Sequence, residues 1–281
     1  MPQWLRKMLQ EGPRITRENK LSPTGTIVRE ETVENETSGV IPVLKQLCRQ
    51  DPTVERVMFC SSLVRHIFKL PREGGFCGYR NIQMLISHIQ DARRPGHENF
   101  PGRTPSILKL QDMIERAWDM GFNSSGRIET GGIKGTRKYI GTPEAQALFL
   151  SLGIKCSANA FVSTPQRRAY EALFESIAEY FRAGCSNLES DEKILETDLP
   201  PIYLQHKGHS MTILGFEVAK NGTADLLVFD PMYKTSPAVR RLVDQGNSAI
   251  QSVDATKVLR AWRRGAPYLQ KYTEFEILML Q

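Results

Sequence analysis

Gly74-Gly75-Phe76-Cys77-Gly78-Tyr79-Arg80-Asn81 places a single cysteine at the mouth of an amphipathic run, with glycine close on either side. The run continues through Ile82, Met84, Leu85, Ile86 and Ile89, near the apolar spacing of a buried helix. Cys77 then falls in the helix's first turn. Unpaired backbone N–H groups and the positive end of the helix dipole favour a thiolate there, and the thiolate is the nucleophile. The flanking glycines let another backbone approach closely. A lone cysteine in such a place more often simply packs a core helix, so the reading turns on partners elsewhere in the chain.

Two partners stand downstream. Pro200 to Gly215 reads as strand, tight turn, strand, and His209 opens the second strand just past Gly208. The next strand, Asp225 to Phe229, ends in Asp230-Pro231, where proline stops the pairing. Adjacent antiparallel strands bring His209 and Asp230 side by side. The imidazole then takes a proton from Cys77 and the carboxylate holds its tautomer. The interval from Cys77 to His209 lies within the roughly 130–150 residues of papain-type enzymes. Asp-Pro is also a common turn, so Asp230 gains weight only beside the other two.

The rest of the chain supports one main domain. Its 281 residues are 40% hydrophobic and 24% charged, ordinary for a globular protein. Residues 1–39 read as a separate N-terminal segment. In it Trp4, Leu5, Met8 and Leu9 form one short helical face expected to dock, and Glu11 to Ser38 is an extended or disordered stretch. The compact domain spans 40–281. Helices are expected over 41–47, 106–120, 142–152, from Thr164-Pro165 to Gly184, and over 237–244. Strands are expected over 54–60, 154–162 and 272–280, with loops over 123–136 and 185–199. Helices first and an antiparallel strand cluster after them make an α+β fold of papain-like organisation.

Several function classes lose ground. No apolar run reaches membrane-spanning length, and the N-terminus lacks the apolar core of a secretory signal. Five scattered cysteines offer neither a C-x-x-C metal pattern nor a disulfide framework, so no metal and no cofactor are expected. A reducing compartment, cytoplasm or nucleus, fits best. The net charge of +6 comes without a basic stripe interleaved with aromatics, so no nucleic acid and no membrane partner is called for. The pairs Arg93-Arg94, Arg167-Arg168, Arg240-Arg241 and Arg263-Arg264 read as solvated surface.

Four motifs in order carry a resemblance. Gly78-Tyr79-Arg80-Asn81-Ile82-Gln83-Met84, Gly135 to Gly141 with Glu144, Leu204 to Ser210, and Phe229-Asp230-Pro231 are similar to zinc-finger-containing ubiquitin peptidases (ZUFSP type) over roughly residues 40–281. The resemblance implies a papain-like isopeptidase cleaving after the C-terminal glycine of ubiquitin, within polyubiquitin chains. Alternatives are a protease for another ubiquitin-like modifier and a catalytically silent ubiquitin-binding module. It implies Cys77 as nucleophile, His209 as base, Asp230 as orienting acid and Gln205 as oxyanion donor. Relatives directed at the ubiquitin-fold modifier carry Asp-Pro-His; Met232 follows Pro231 here, which makes His209 the base. The aromatic before the cysteine is Phe76, one place from the family's tryptophan. Glu144, Asn123, Phe76 and Gly75 are the implied contacts for a narrow, basic, glycine-ended tail. The family's zinc fingers and helical ubiquitin-binding modules are not found in this stretch, which reads as a short member or a fragment.

Overall fold

The computed structural model describes residues 1–21, 25–189, 191–246 and 250–281. It begins with helix α1 (Gln3–Glu11), then β1 (Ile15–Leu21), β2 (Ile27–Val33) and β3 (Glu36–Thr37). Helix α2 (Val40–Gln50), β4 (Val54–Phe59) and β5 (His66–Ile67) lead to α3 (Cys77–Asp91). Next come α4 (Ile107–Asp119), α5 (Ser125–Thr130), α6 (Thr142–Ser151), β6 (Cys156–Val162) and α7 (Ala169–Gly184). The remainder is mostly sheet: β7 (Ile194–Glu196), β8 (Ile202–His206), β9 (His209–Ala219) and β10 (Ala224–Phe229). It is completed by α8 (Pro237–Gln245), α9 (Ala255–Leu259), β11 (Arg263–Gly265), α10 (Ala266–Leu269) and β12 (Glu274–Leu280).

The main sheet runs β11-β10-β9-β8-β12-β6, with β4 also paired to β9 and β7 to β4. Every pairing is antiparallel except β4 with β7. Side chains alternate across a strand, and the sheet divides the core accordingly. Tyr203, Leu278 and Leu280 face α3, α4 and α6, whereas Ile202, Leu204, Phe275 and Ile277 face α7 and the α2 side. The sheet is therefore covered on both faces, and β8 and β9 present one row of side chains directly to α3. Together these elements form an α+β fold of papain-like type, with the Cys77 helix packed on the antiparallel sheet.

Several segments differ from expectation. The stretch read as extended or disordered pairs as a β1–β2 hairpin, from Ile15↔Val33 to Leu21↔Ile27. Residues 22–24 of that stretch lie outside the described residues. Its alternation is largely polar on both faces, so no apolar period marked it as strand. The loop expected over 123–136 contains α5. Beyond α5 its backbone is held by side chains of α4: Glu115 accepts from Ile133 and Lys134 N–H, and Gln111 from Gly135 N–H. The expected acidic loop 185–199 contains β7, and its residue 190 lies outside the described residues. Helix α7 starts at Ala169 rather than at Pro165, because Thr164 Oγ1 closes a separate turn on Arg167 N–H.

Helix α1 docks by Leu5 and Leu9, both buried in the cluster that holds α3, α4 and α6, while Trp4 stays half exposed. Leu5→Ala is expected to lower the unfolding free energy by roughly 2–5 kcal/mol, the scale for a buried leucine. Urea denaturation followed by far-UV dichroism measures it. A change below about 0.5 kcal/mol, the scale of an exposed site, would mean that the helix rests on the surface without supporting the core.

Candidate active site

Cys77 opens α3 and is only 6% exposed. Two local features fix its place. Ahead of it, Glu73 and Arg80 form a buried two-pronged ion pair, with Nε to Oε1 and Nη2 to Oε2 both at 2.9 Å. The same Glu73 accepts Leu70 N–H at 2.6 Å, so the approach loop is tied to the second turn of the helix. Gly74 has φ of +86°, a left-handed conformation that glycine adopts freely. Behind Cys77, the wholly buried Asn81 donates Nδ2–H to Cys77 O and to Ser210 Oγ, both at 2.9 Å. Its Oδ1 accepts from Thr212 Oγ1 at 2.8 Å. One amide thus joins α3 to β9.

The strands bring the titratable groups together. His209 opens β9 and Asp230 follows β10; these strands pair through Phe229↔Thr212. His209 Nε2 and Asp230 Oδ1 are 2.8 Å apart, which leaves Nδ1 as the ring nitrogen able to face the thiol. Asp230 accepts two further bonds, from Met232 N–H to Oδ1 and from Arg264 Nη2 to Oδ2, both at 2.8 Å. Burial alone would raise the Cys77 thiol, but hydrogen bonding with His209 and Ser210 and the charge on His209 bring it below its ordinary value. Burial likewise works against charge on His209, yet Asp230 and Cys77 raise it to about 9. Asp230 is held well below the carboxylate range, because bonds from His209, Met232 and Arg264 outweigh its burial. These shifts together favour a thiolate beside an imidazolium.

Gln205 lies directly across the strands from Ser210. Its amide packs on Gly141, where a Cβ would sit 2.7 Å from both Nε2 and Oε1. Tyr203 Oη is 3.3 Å from Oε1, which turns Nε2 into the free donor. Gly75 lies beneath the exposed Tyr139 ring, and a Cβ there would come within 2.3 Å of it.

Three of the implied tail contacts have partners within the protein. Phe76 is wholly buried and packs edge-on against Tyr79, so its ring offers no surface to a substrate. Glu144 is nearly buried and its Oε2 accepts Gly141 N–H at 2.7 Å, capping α6; burial raises its pKa despite that bond. Asn123, in left-handed backbone, donates to Pro143 O and Gln146 Oε1. Neither Arg263 nor Arg264 is solvated: Arg263 pairs with Asp51 and Glu217, and Arg264 with Asp230. Sequence reasoning missed Ser210 and Arg264 as neighbours of the site, and a short polar residue or a basic doublet carries no local signal of such partners. Among the described residues no cluster of His, Cys, Asp or Glu is arranged to hold a metal ion.

Residues 53–278 match the peptidase family C78. The chain belongs to that family. The mouse zinc finger-containing ubiquitin peptidase 1 is 39% identical over 201 residues, covering 70% of this chain and 34% of the relative. The ubiquitin carboxyl-terminal hydrolase mug105 of Schizosaccharomyces pombe is 33% identical over 160 residues, covering 56% of this chain and 60% of that protein. A crystal structure of UfSP from C. elegans aligns with a TM-score of 0.48 and 17% identity, over 82% of this chain and 35% of that one. The chain spans about a third of the length of the mammalian C78 relatives it matches.

The charge pair has a defined pH window. It is lost as pH falls through the lowered Cys77 value and as pH rises through about 9, where His209 gives up its proton. Iodoacetamide is therefore expected to alkylate Cys77 rapidly at pH 7, with an acid limb below the roughly 8.5 of a free thiol. His209→Ala leaves burial opposed only by the Ser210 hydrogen bonds and moves that limb upward. A limb that stays in place would show that the imidazole does not ionise the thiol.

Proposed function

We propose that this chain is a deubiquitinating cysteine protease that hydrolyses the peptide or isopeptide bond after the C-terminal glycine of ubiquitin, within polyubiquitin chains. The observation that carries the reading is the His209–Asp230 pair at 2.8 Å set beside a thiol of lowered pKa at a helix N-terminus. The names of the mouse and fission-yeast relatives support ubiquitin as the modifier. The exposed Met232 at the place after Asp230-Pro231 leaves His209 as the histidine beside the aspartate.

The chemistry is acyl transfer. Thiolate Cys77 attacks the glycine carbonyl, and the negative charge that develops on its oxygen is met by Gln205 Nε2–H. The His209 imidazolium gives its proton to the leaving amine. Neutral His209 then takes a proton from water, which attacks the thioester and releases the carboxylate and Cys77. Asp230 keeps the imidazole in one tautomer and orientation throughout. Gly74 and Gly75 leave the approach to the sulfur narrow, which suits a glycine-ended tail.

A ubiquitin probe with a C-terminal electrophile is expected to label wild-type protein and not Cys77→Ala. Labelling only by the corresponding probe of another ubiquitin-like modifier would redirect the reading to that modifier. Binding without any labelling, unchanged in Cys77→Ala, would make the chain a silent binding module. Gln205→Ala is expected to lower kcat on a ubiquitin C-terminal amide by about a hundredfold to a thousandfold, the usual scale of one lost oxyanion donor. Its Cys77 alkylation rate stays near wild type. An unchanged kcat would remove Gln205 from the oxyanion site.

A further inference from the structure

We infer that Arg264 is a positioning residue of this site: it clamps the second oxygen of Asp230, so that the carboxylate can neither rotate away from His209 nor bring its full charge to bear on it. The inference rests on the reading of Cys77, His209 and Asp230 as the acting groups. Asp230 uses Oδ1 for His209 and Met232 N–H, and Oδ2 for Arg264, each at 2.8 Å. With both oxygens engaged, the side chain has one orientation.

Arg264 is itself immobilised. Its Nη1 donates to Ala261 O at 3.1 Å and Arg263 O at 2.9 Å, and its guanidinium lies 5.2 Å from the centre of the Tyr268 ring. The strand that carries it is fastened from the other face. Arg263 sits between the buried acids Asp51 and Glu217, at 2.9 and 2.8 Å. Gly265 lies so close to Asp225 that a Cβ would meet its Oδ1 at 2.5 Å. Strand β11 pairs with β10 through Leu227↔Arg263 to Asp225↔Gly265, at the sheet edge beside the exit that carries Asp230. Neighbouring side chains of one strand point to opposite faces. Arg263 therefore anchors the strand while Arg264 reaches the carboxylate.

The cation also has an electrostatic effect. Placed against Asp230, it offsets part of the negative charge that favours the imidazolium, and it repels the imidazolium itself. The other titratable groups near His209 are Cys77, His206 on β8, His66 on β5 and Tyr268 on α10. His206 stacks on Tyr272 and shares a hydrogen bond with Tyr268 Oη; His66 meets Asp230 O and Thr235. Burial lowers both histidines to about 4, so they stay neutral at working pH. Burial raises the Tyr268 phenol. Arg264 is the arginine in ion-pair contact with Asp230.

The test uses iodoacetate, an anion whose fast reaction with Cys77 needs both thiolate and imidazolium, alongside turnover of a ubiquitin C-terminal amide. Arg264→Leu is expected to reduce kcat about tenfold to a hundredfold, the scale for losing a group that orients a functional side chain, with KM little changed. The alkaline limb of iodoacetate alkylation shifts upward from wild type, because a repelling cation is gone. Arg264→Lys, which restores a cation, returns the limb and recovers part of kcat. Should the leucine variant not fold, Arg264→Gln is read in its place, with the same upward shift expected. A folded leucine or glutamine variant with wild-type kcat and limb, or with the limb unmoved, would overturn the proposal. A wild-type protein whose Cys77 shows no enhanced alkylation at neutral pH would instead overturn the underlying reading of the site.

Discussion

The site depends on a single buried amide. Asn81 has no access to water, and a buried polar group left unpaired is costly. Its bond to Cys77 O lies within α3, but its bonds with Ser210 and Thr212 are met only if α3 lies at one depth and one rotation over β9. That requirement sets the first turn of the helix, and hence the sulfur, against the end of β9 where His209 begins. The Glu73–Arg80 pair performs a matching task on the approach side. Breaking such a buried pair strands a charge, typically at a cost of about 3–5 kcal/mol, so the loop before the nucleophile has little freedom to drift. The nucleophile is located by polar bonds whose geometry admits few alternatives, and the surrounding apolar packing fills in around them.

Charge is distributed by the same logic. The cleft holds a thiol, an imidazole, a carboxylate and a guanidinium in sequence, so each ion has a neighbour of opposite sign and none is isolated. The buried acids on the far side of β11, Asp51 and Glu217, share one arginine. This alternation explains how a site with little solvent contact can stay ionised. Burial works against the charged form of every one of its titrating members. Directed hydrogen bonds reverse that penalty at all three.

Much of the fold was legible because it is written in local periods. The apolar spacing after Cys77 marks α3, and the short apolar runs bounded by Gly208 and Pro231 mark β9 and β10. Adjacent antiparallel strands then imply the meeting of His209 and Asp230. What could not be read depends on contacts between distant stretches. Arg263-Arg264 looks like any exposed basic doublet until β11 pairs with β10 and both side chains become largely covered and ion-paired. Phe76 stands as a substrate contact only through the family resemblance, and the turn into α3 points its ring at Tyr79. Glu144 reads equally well as a helix cap and as a tail contact, and its bond to Gly141 N–H shows the cap. The β1–β2 hairpin has too few apolar residues to announce itself, and pairing rather than burial defines it.

The order of strands carries a consequence for how the cleft is assembled. Strand β12 comes last along the chain but stands inside the sheet, between β8 and β6. Without β12, β8 has one open edge, and Tyr203 and Gln205 lack the neighbour strand that completes their surroundings. Cys77, His209 and Asp230 lie on α3, β9 and the exit of β10, so the strand that closes the Gln205 side of the cleft is supplied by a different, distant stretch of sequence.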